Sequence, residues 1–319
     1  MLRYGIVSTA AIATRFIEGI RQTKDGAVVA IASRTLESAK EAAERLDIPT
    51  YYGSYDQLFT DDKVDVIYIP TVNSLHYRDA KKALLHGKHV LVEKPFVLQE
   101  EEAIELFALA KEQNCFIMET QKCIFLPAII KLKELLEAGT IGDIKYIELK
   151  ASFPMRFSSY HWMFDLEQGG GCLHGSASYT IELMQFLFHH PSMEATGSFV
   201  KCPVGADEIC NFNLVMDDEI LVSSTITMNV ALDNEAVFYG TEGKIKVPSF
   251  WKADSVCVIK EKAEPIQYEF PYTSEFVYEI QHVHECIGKG LLESPIMNQE
   301  KTIETIKIVN RLYDFSNHK

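Results

Sequence analysis

His89-Val90-Leu91-Val92-Glu93-Lys94-Pro95 is a short apolar run that delivers an acid, an amine and a proline at its carboxyl end. In open α/β sheets ligands lie outside the carboxyl ends of the parallel strands, so a charged pair placed there faces a bound molecule. Lys94 is therefore the first candidate for chemistry, with Glu93 beside it. A lone lysine at a strand exit is more often simply solvated, so the neighbours of the run decide.

Upstream, residues 3–8 read as a buried strand, and 10–24 carry Ile12, Phe16, Ile17 and Ile20 at helical spacing. A second strand spans 28–33, a helix 36–46, a short third strand Tyr51-Tyr52, and a fourth strand 64–69 closed by Pro70. Asn73 is placed to cap a helix running to His86 and ended by Gly87. After the opening run come an acidic-headed helix over 100–113 and a sixth strand over 115–118. Strands alternating with helices in this way predict a doubly wound parallel sheet over residues 1–120.

Beyond it the pattern changes. A helix over 128–138 ends at Gly139, and from Lys145 strands follow one another with short turns, as at Asp217-Asp218 and Glu242-Gly243. Helices are expected at 173–188, 275–287 and 300–315. Runs of strands with few helices predict an α+β domain over 121–319, a mostly antiparallel sheet with helices on one face. Ile220, Val222, Ser224, Ile226 and Met228 alternate along one strand, and we expect them on the open face, available for dimerisation. No repeat or low-complexity segment interrupts the chain.

The composition fits this division, since 319 residues with 47% apolar content are long for one core. A formal charge of -14 repels nucleic acid and anionic lipid, which leaves small molecules and other subunits as partners. Cysteines at 115, 123, 172, 202, 210, 257 and 286 are odd in number with no C-x-x-C, so neither a disulfide framework nor a zinc site is signalled and a reducing cytoplasm fits. Residues 3–13 imitate a short signal peptide, but they are rich in small residues and serve as the first strand and turn. No apolar run is long enough for a membrane span.

Three stretches carry candidate chemistry. The first strand-to-helix turn, Ser8-Thr9-Ala10-Ala11-Ile12-Ala13, is small throughout, as a turn that holds a dinucleotide pyrophosphate at a helix N-terminus must be. Against G-x-G-x-x-A, however, Ser8 and Ala10 replace glycines, and ordinary strand-to-helix packing explains the turn as well. The second strand ends in Ser33-Arg34-Thr35, with a guanidinium and no acid, which suits the 2'-phosphate of NADP more than the bare ribose of NAD. The third is Gly169-Gly170-Gly171 running through Cys172-Leu173-His174-Gly175 into a helix with Tyr179. Positions 175 and 179 share a face, and Tyr179 can exchange a proton with a carbonyl oxygen if a cation such as Lys94 is near. A tyrosine buried at a packing face is the plainer reading of that segment.

In this order, Gly5-Ile6-Val7-Ser8-Thr9, Ala32-Ser33-Arg34, Thr71-Val72-Asn73-Ser74-Leu75-His76, Glu93-Lys94-Pro95, Gly169-Gly170-Gly171 to Tyr179, and Tyr239-Gly240-Thr241-Glu242-Gly243 resemble the Gfo/Idh/MocA oxidoreductases. The likeness spans nearly the whole chain and is strongest to the branch of dimeric dihydrodiol dehydrogenase and NADP-dependent D-xylose dehydrogenase. It implies a Rossmann domain, a sheet domain that often dimerises through its open face, and hydride transfer to or from NADP, with NAD as the alternative. By motif position it assigns cofactor contacts to the turn from Ser8 through Thr9, Ala11 and Ile12, and to Ser33, Arg34, Thr71, Asn73, His76, Glu93 and Lys94. Lys94 and Tyr179 fall at the reacting carbon.

Two departures stand out. The family's acid four residues before the Tyr is Gly175 here, and the aromatic, Arg-rich run that follows Met118-Glu119 in this branch is Thr120-Gln121-Lys122-Cys123-Ile124-Phe125-Leu126-Pro127. Both are expected to strip polar groups from the substrate side. His174 is one residue away from the missing acid, but one helical step is about 100° of rotation, so it points elsewhere. The expected function is oxidation and reduction of a secondary alcohol or carbonyl on a small sugar, polyol or related compound. A non-catalytic NADP-binding sensor of the same fold is the alternative that Ser8, Ala10 and Gly175 motivate. No metal-spaced cluster, phosphate-binding G-K-[S/T] loop or basic stripe is present.

Overall fold

The structure is a computed structural model that describes residues 1–189, 191–217 and 219–317, the side chains of 315–317 excepted. The chain divides into two compact units, the first made of Met1–Gln121 with Ser274–Ile303 and the second of Lys122–Thr273 with the residues from Glu304 onward.

The first unit opens with β1 (Leu2–Val7), α1 (Ala11–Arg21), β2 (Gly26–Ala32), α2 (Leu36–Leu46), β3 (Thr50–Tyr52), α3 (Tyr55–Phe59) and β4 (Val66–Ile69). It continues through α4 (His76–Leu85), β5 (His89–Val92), α5 (Glu100–Glu112) and β6 (Ile117–Glu119). All six strands are parallel in the order β3-β2-β1-β4-β5-β6, the doubly wound sheet that the alternation predicts. Near-continuous apolar runs are what a sheet covered on both faces requires, and Val66–Ile69 is buried at every position.

Local differences have local causes. Helix α1 stops at Arg21, short of Lys24, because both the Thr23 N–H and its hydroxyl donate back to the Ile20 carbonyl. Asn73 is not the cap of α4; it opens a 3-10 segment, Asn73–Leu75, and α4 begins at His76. The unforeseen α3 is capped by Ser54, whose hydroxyl accepts from the Gln57 N–H at 3.4 Å.

The second unit holds α6 (Pro127–Glu137), β7 (Ile144–Ser152), α7 (Cys172–Leu187), β8 (Met193–Lys201), β9 (Asp207–Met216) and β10 (Ile220–Thr227). Strands β11 (Glu235–Gly240), β12 (Gly243–Pro248), β13 (Ser255–Ile259) and β14 (Ile266–Glu269) complete its sheet. The order is β14-β13-β12-β11-β7-β10-β9-β8, antiparallel except for the β7–β10 pair. The turn expected at Asp217-Asp218 lies partly outside the described residues.

Helix α7 lies on β9 and β10, with the Thr180 and Ser224 hydroxyls hydrogen-bonded at 2.9 Å. This contact corrects the expectation for β10: Val222 is 0% exposed and Ile226 1%, so the alternating set is the covered one. Leu221, Ser223 and Thr225 therefore face the other way, and Leu221 is 44% exposed. That opposite face also bears the stacked Tyr146 and Tyr239 rings, 5.6 Å apart, and Lys150 between Glu148 and Glu235.

Helices α8 (Val277–Gly288) and α9 (Gln299–Asn317) close the chain, and α8 returns to the first unit. There the Phe276 ring meets Phe16 edge-on at 5.6 Å, and His284 Nε2 lies 2.9 Å from the Tyr4 hydroxyl.

Candidate active site

In the first unit, Ser8, Thr9, Ala11 and Ile12 follow β1, Ser33 and Arg34 follow β2, Thr71, Asn73 and His76 follow β4, and Glu93 and Lys94 follow β5. The parallel sheet thus gathers every one of these candidates at its carboxyl edge. Ser8 has φ +78°, the left-handed backbone that a glycine usually supplies, and its hydroxyl accepts from the Ala10 N–H at 3.2 Å. Ala10 itself lies at φ -57°, an ordinary conformation, and the first turn of α1 holds no acidic residue that would repel a phosphate.

At the end of β2, Ser33 is buried and Arg34 is exposed. Tyr55, which sequence reasoning did not select, links this end to the β1 turn. Burial and Asp79 push its phenol up, while the Arg34 and Arg78 guanidinium groups and a hydrogen bond with Ser8 pull it back. A capping signal, Ser54 followed by Gln57, was the available pointer to the short helix that carries it.

The segment after β5 is held from several sides. Tyr68 donates to Glu93 Oε1 at 2.6 Å, and the Tyr68 ring stacks on Phe16 at 3.8 Å. The Phe96 N–H donates to Glu119 Oε1 at 3.0 Å, the Thr120 N–H donates to the Val92 carbonyl at 2.8 Å, and the Lys94-Pro95 peptide is cis. His76 Nδ1 lies 2.8 Å from the Pro95 carbonyl oxygen and Nε2 3.1 Å from that of Thr71. With 0% exposure, His76 has no surface left for a cofactor, which corrects its expected direct contact. It braces Thr71 against the segment that presents Lys94. Burial lowers its pKa, although both carbonyl contacts favour the charged ring.

In the second unit, Asp207 at the head of β9 builds the entrance to α7. Its Oδ2 accepts from the Leu173 N–H and its Oδ1 from the Tyr313 hydroxyl, both at 2.8 Å. Burial pushes the Asp207 carboxyl up to about 6. Gly171 has φ +100°, and a Cβ there would stand 2.1 Å from Asp207 Oδ1, so the third glycine of the run is required by the cap. His174 turns to this network: its ring lies 4.6 Å from that of Tyr313, its Nδ1 3.2 Å from the Gly170 carbonyl, and burial lowers its pKa to about 4.

Tyr179 is two turns further along α7 and 6% exposed. Lys122 Nζ donates to its hydroxyl at 3.2 Å. Sequence reasoning treated the segment holding Lys122 as a loss of polar groups, whereas it brings a buried cation to Tyr179. The signal was a lysine heading the apolar stretch Cys123-Ile124-Phe125. At Gly175, on the Tyr179 face, a side chain would start 3.3 Å from the Met163 methyl.

A nicotinamide dinucleotide fits the first unit on its own chemistry: a small-residue turn with the backbone a glycine would take, an uncharged helix start, and a guanidinium in place of an acid after β2. Among the described residues, no group of three or more His, Cys, Asp or Glu is placed to hold a metal, and no helix is long and apolar enough to cross a membrane.

The fold and the sheet-edge site are those of a nicotinamide-dependent oxidoreductase. Residues 2–121 match the oxidoreductase family with an NAD-binding Rossmann fold, residues 129–246 match the GFO/IDH/MocA C-terminal domain, and the chain belongs to the GFO/IDH/MocA family. It is 33% identical over 309 residues to trans-1,2-dihydrobenzene-1,2-diol dehydrogenase of Xenopus laevis, covering 93% of this chain and 92% of that protein. The Mus musculus enzyme of the same name is 33% identical over 305 residues, 93% of this chain and 91% of that protein.

Among solved structures, the 3-ketoreductase KijD10 from Actinomadura kijaniata, in complex with NADP and TDP-benzene, superposes with TM-score 0.90 at 24% identity, over 99% of this chain and 98% of that one. Levoglucosan dehydrogenase, in complex with NADH and levoglucosan, gives 0.86 at 18% identity, over 99% and 97%. At these identities the structures speak for the fold.

Proposed function

We propose that this oxidoreductase interconverts a secondary alcohol and its carbonyl on a small diol, polyol or sugar, with NADP(H) as the preferred cofactor. The observation that carries the reading is the segment after β5, in which Tyr68 holds the Glu93 carboxylate while His76 and Glu119 hold the Pro95 carbonyl and the Phe96 N–H on either side of the chain that presents Lys94. Such bracing fixes the backbone from which Lys94 projects, as transition-state stabilisation by its amine demands and a solvated strand exit does not need. The relatives' names add a cyclic vicinal diol as a substrate class.

The bound nicotinamide would supply the hydride acceptor or donor. Thr9, Ala11 and Ile12 would hold the pyrophosphate on backbone N–H groups and Arg34 the 2'-phosphate, with Ser8, whose own N–H is donated to the Ala32 carbonyl, shaping the turn and Ser33, Thr71, Asn73 and Glu93 lining the remainder. Tyr179 would exchange the proton of the substrate oxygen, and Lys94 would stabilise charge developing on that oxygen. We place the protein in the cytoplasm, on its free cysteines, and infer a homodimer across the sheet face that exposes Leu221.

The test is a cofactor titration followed by turnover with trans-1,2-dihydrobenzene-1,2-diol, D-xylose and related carbonyls, read at the nicotinamide absorbance. NADP-dependent turnover that Lys94→Ala abolishes, with cofactor affinity largely intact, is the expected result. Tight NADP binding with no turnover across the panel would replace the catalyst with a sensor.

A further inference from the structure

A lysine 6% exposed inside an apolar segment is a costly placement, because its ammonium carries three donors and a full charge away from water. Lys122 places one donor on the Tyr179 oxygen at 3.2 Å, and its Nζ is 5.6 Å from the centroid of the tyrosine ring. Both residues belong to the second unit, and the 3-10 segment Lys122–Phe125 packs on α7. The contact is fixed by folding of this unit.

An ammonium cannot accept a hydrogen bond, so the phenol oxygen must be the acceptor and its own hydrogen is turned away from Lys122. A cation at this distance also favours the phenolate over the phenol. Charged and titratable groups lie beside the pair. Glu182 lies on α7 just beyond Tyr179 and is fully buried, and Cys123 adjoins Lys122. Burial pushes the Cys123 thiol up, with Lys122 pulling it down and Glu182 pushing it further up, so both charges reach this neighbourhood. On the remaining side, in the segment Phe250–Lys252, the neutral Trp251 ring lies 6.4 Å from that of Tyr179, while Lys252 is exposed.

We propose that Lys122 is a positioning residue for Tyr179, which fixes the phenol rotor and stabilises the phenolate that receives the substrate's hydroxyl proton. The inference rests on the reading that Tyr179 carries that proton. In the oxidation direction the hydroxyl proton passes to the Tyr179 oxygen to give the phenol. The C–H electron pair leaves as hydride to the oxidised nicotinamide, and the carbon-oxygen bond becomes a carbonyl. In the reverse direction the phenol returns the proton, and Lys122 again faces the phenolate.

The test uses the full chain with NADP and trans-1,2-dihydrobenzene-1,2-diol, comparing wild type with Lys122→Met, Lys122→Arg and Tyr179→Phe. Lys122→Met should lower kcat by about 100-fold, the scale of one general acid-base contribution, with KM and NADP affinity little changed. Its solvent deuterium isotope effect should exceed that of wild type, and Lys122→Arg should restore most of kcat. Independently of turnover, the tyrosinate absorbance assigned to Tyr179 by difference from Tyr179→Phe should appear at higher pH in Lys122→Met than in wild type. An unchanged tyrosinate midpoint, or a Lys122→Met enzyme with wild-type kcat and isotope effect, overturns the inference while leaving the Tyr179 reading intact. Wild-type turnover by Tyr179→Phe overturns that reading and the inference with it. Equal losses in both lysine variants, together with a lowered melting temperature and weakened cofactor binding, assign Lys122 to structure alone.

Discussion

His76 Nδ1 lies 2.8 Å from the Pro95 carbonyl oxygen, which fastens the head of α4 to the segment that presents Lys94. Replacing His76 by Leu would leave the Pro95 and Thr71 carbonyls without this partner inside the unit. The neutral ring donates to one of these two carbonyls, so the buried acceptor left unpaired costs about 1–3 kcal/mol, and the segment that presents Lys94 would lose this tie. Urea unfolding should show a loss in that range or somewhat above, with a fall in kcat. A variant as stable and as active as wild type would remove His76 from the design of the site.

Arg34 follows β2 where an acid would address the ribose hydroxyls. Arg34→Ala should weaken NADP binding by about 1.5–3 kcal/mol, the worth of a hydrogen bond to a charged group, and leave NAD binding nearly unchanged. Calorimetric titration of both cofactors measures the difference. Equal losses would mean that the guanidinium serves the adenine or the loop and not the extra phosphate.

Asp207 keeps its proton to a higher pH in the folded chain, about 6, than the 3.8 of an ordinary carboxyl. Between these values the folded state binds more protons than the unfolded one, so its contribution to stability falls as pH rises through that window. The difference is about 3 kcal/mol from end to end. His174, depressed to about 4, has the opposite slope, because its neutral folded form loses stability as pH falls below 6.5. Asp207→Asn isolates the carboxyl: the stability of wild type minus variant should decline from pH 4 to pH 6.5. Parallel curves would contradict the assignment.

Gly175 faces open space apart from the Met163 methyl, so Gly175→Asp should fold with stability close to wild type once that methyl shifts by a few tenths of an ångström. Asp also has a slightly better helix propensity than Gly, worth a few tenths of a kcal/mol. The carboxylate would stand on the Tyr179 face, so the effect belongs in substrate selection. We expect kcat/KM to shift toward polyhydroxylated sugars and away from the diol, with NADP affinity constant. Identical specificity in variant and wild type would place substrate elsewhere.

Leu221 is exposed on the sheet face opposite α7. If that face joins two copies, Leu221→Lys should halve the mass seen by sedimentation without lowering the melting temperature of the released monomer much. Wild type that sediments as a monomer at micromolar concentration would dispose of the dimer.

The alternation of apolar strands with amphipathic helices determined the first sheet, because each element's period is written in adjacent residues. The small turn after β1, the guanidinium after β2 and the Glu-Lys-Pro after β5 were legible for the same reason: their positions follow from strand ends alone. What period cannot specify is which face of a strand is covered. The alternation in Ile220–Thr227 is symmetrical in that respect, and only the seat of α7, with Thr180 on Ser224, turns Val222 and Ile226 inward. The same limit hid Lys122, whose partner Tyr179 lies 57 residues away, and the Asp207 cap on Leu173, 34 residues away. It also hid the return of Ser274–Ile303 to the first unit. These contacts join segments that share no local pattern. They form because burying a charge or an orphan N–H is unfavourable until a distant residue meets it, and folding alone brings that residue there.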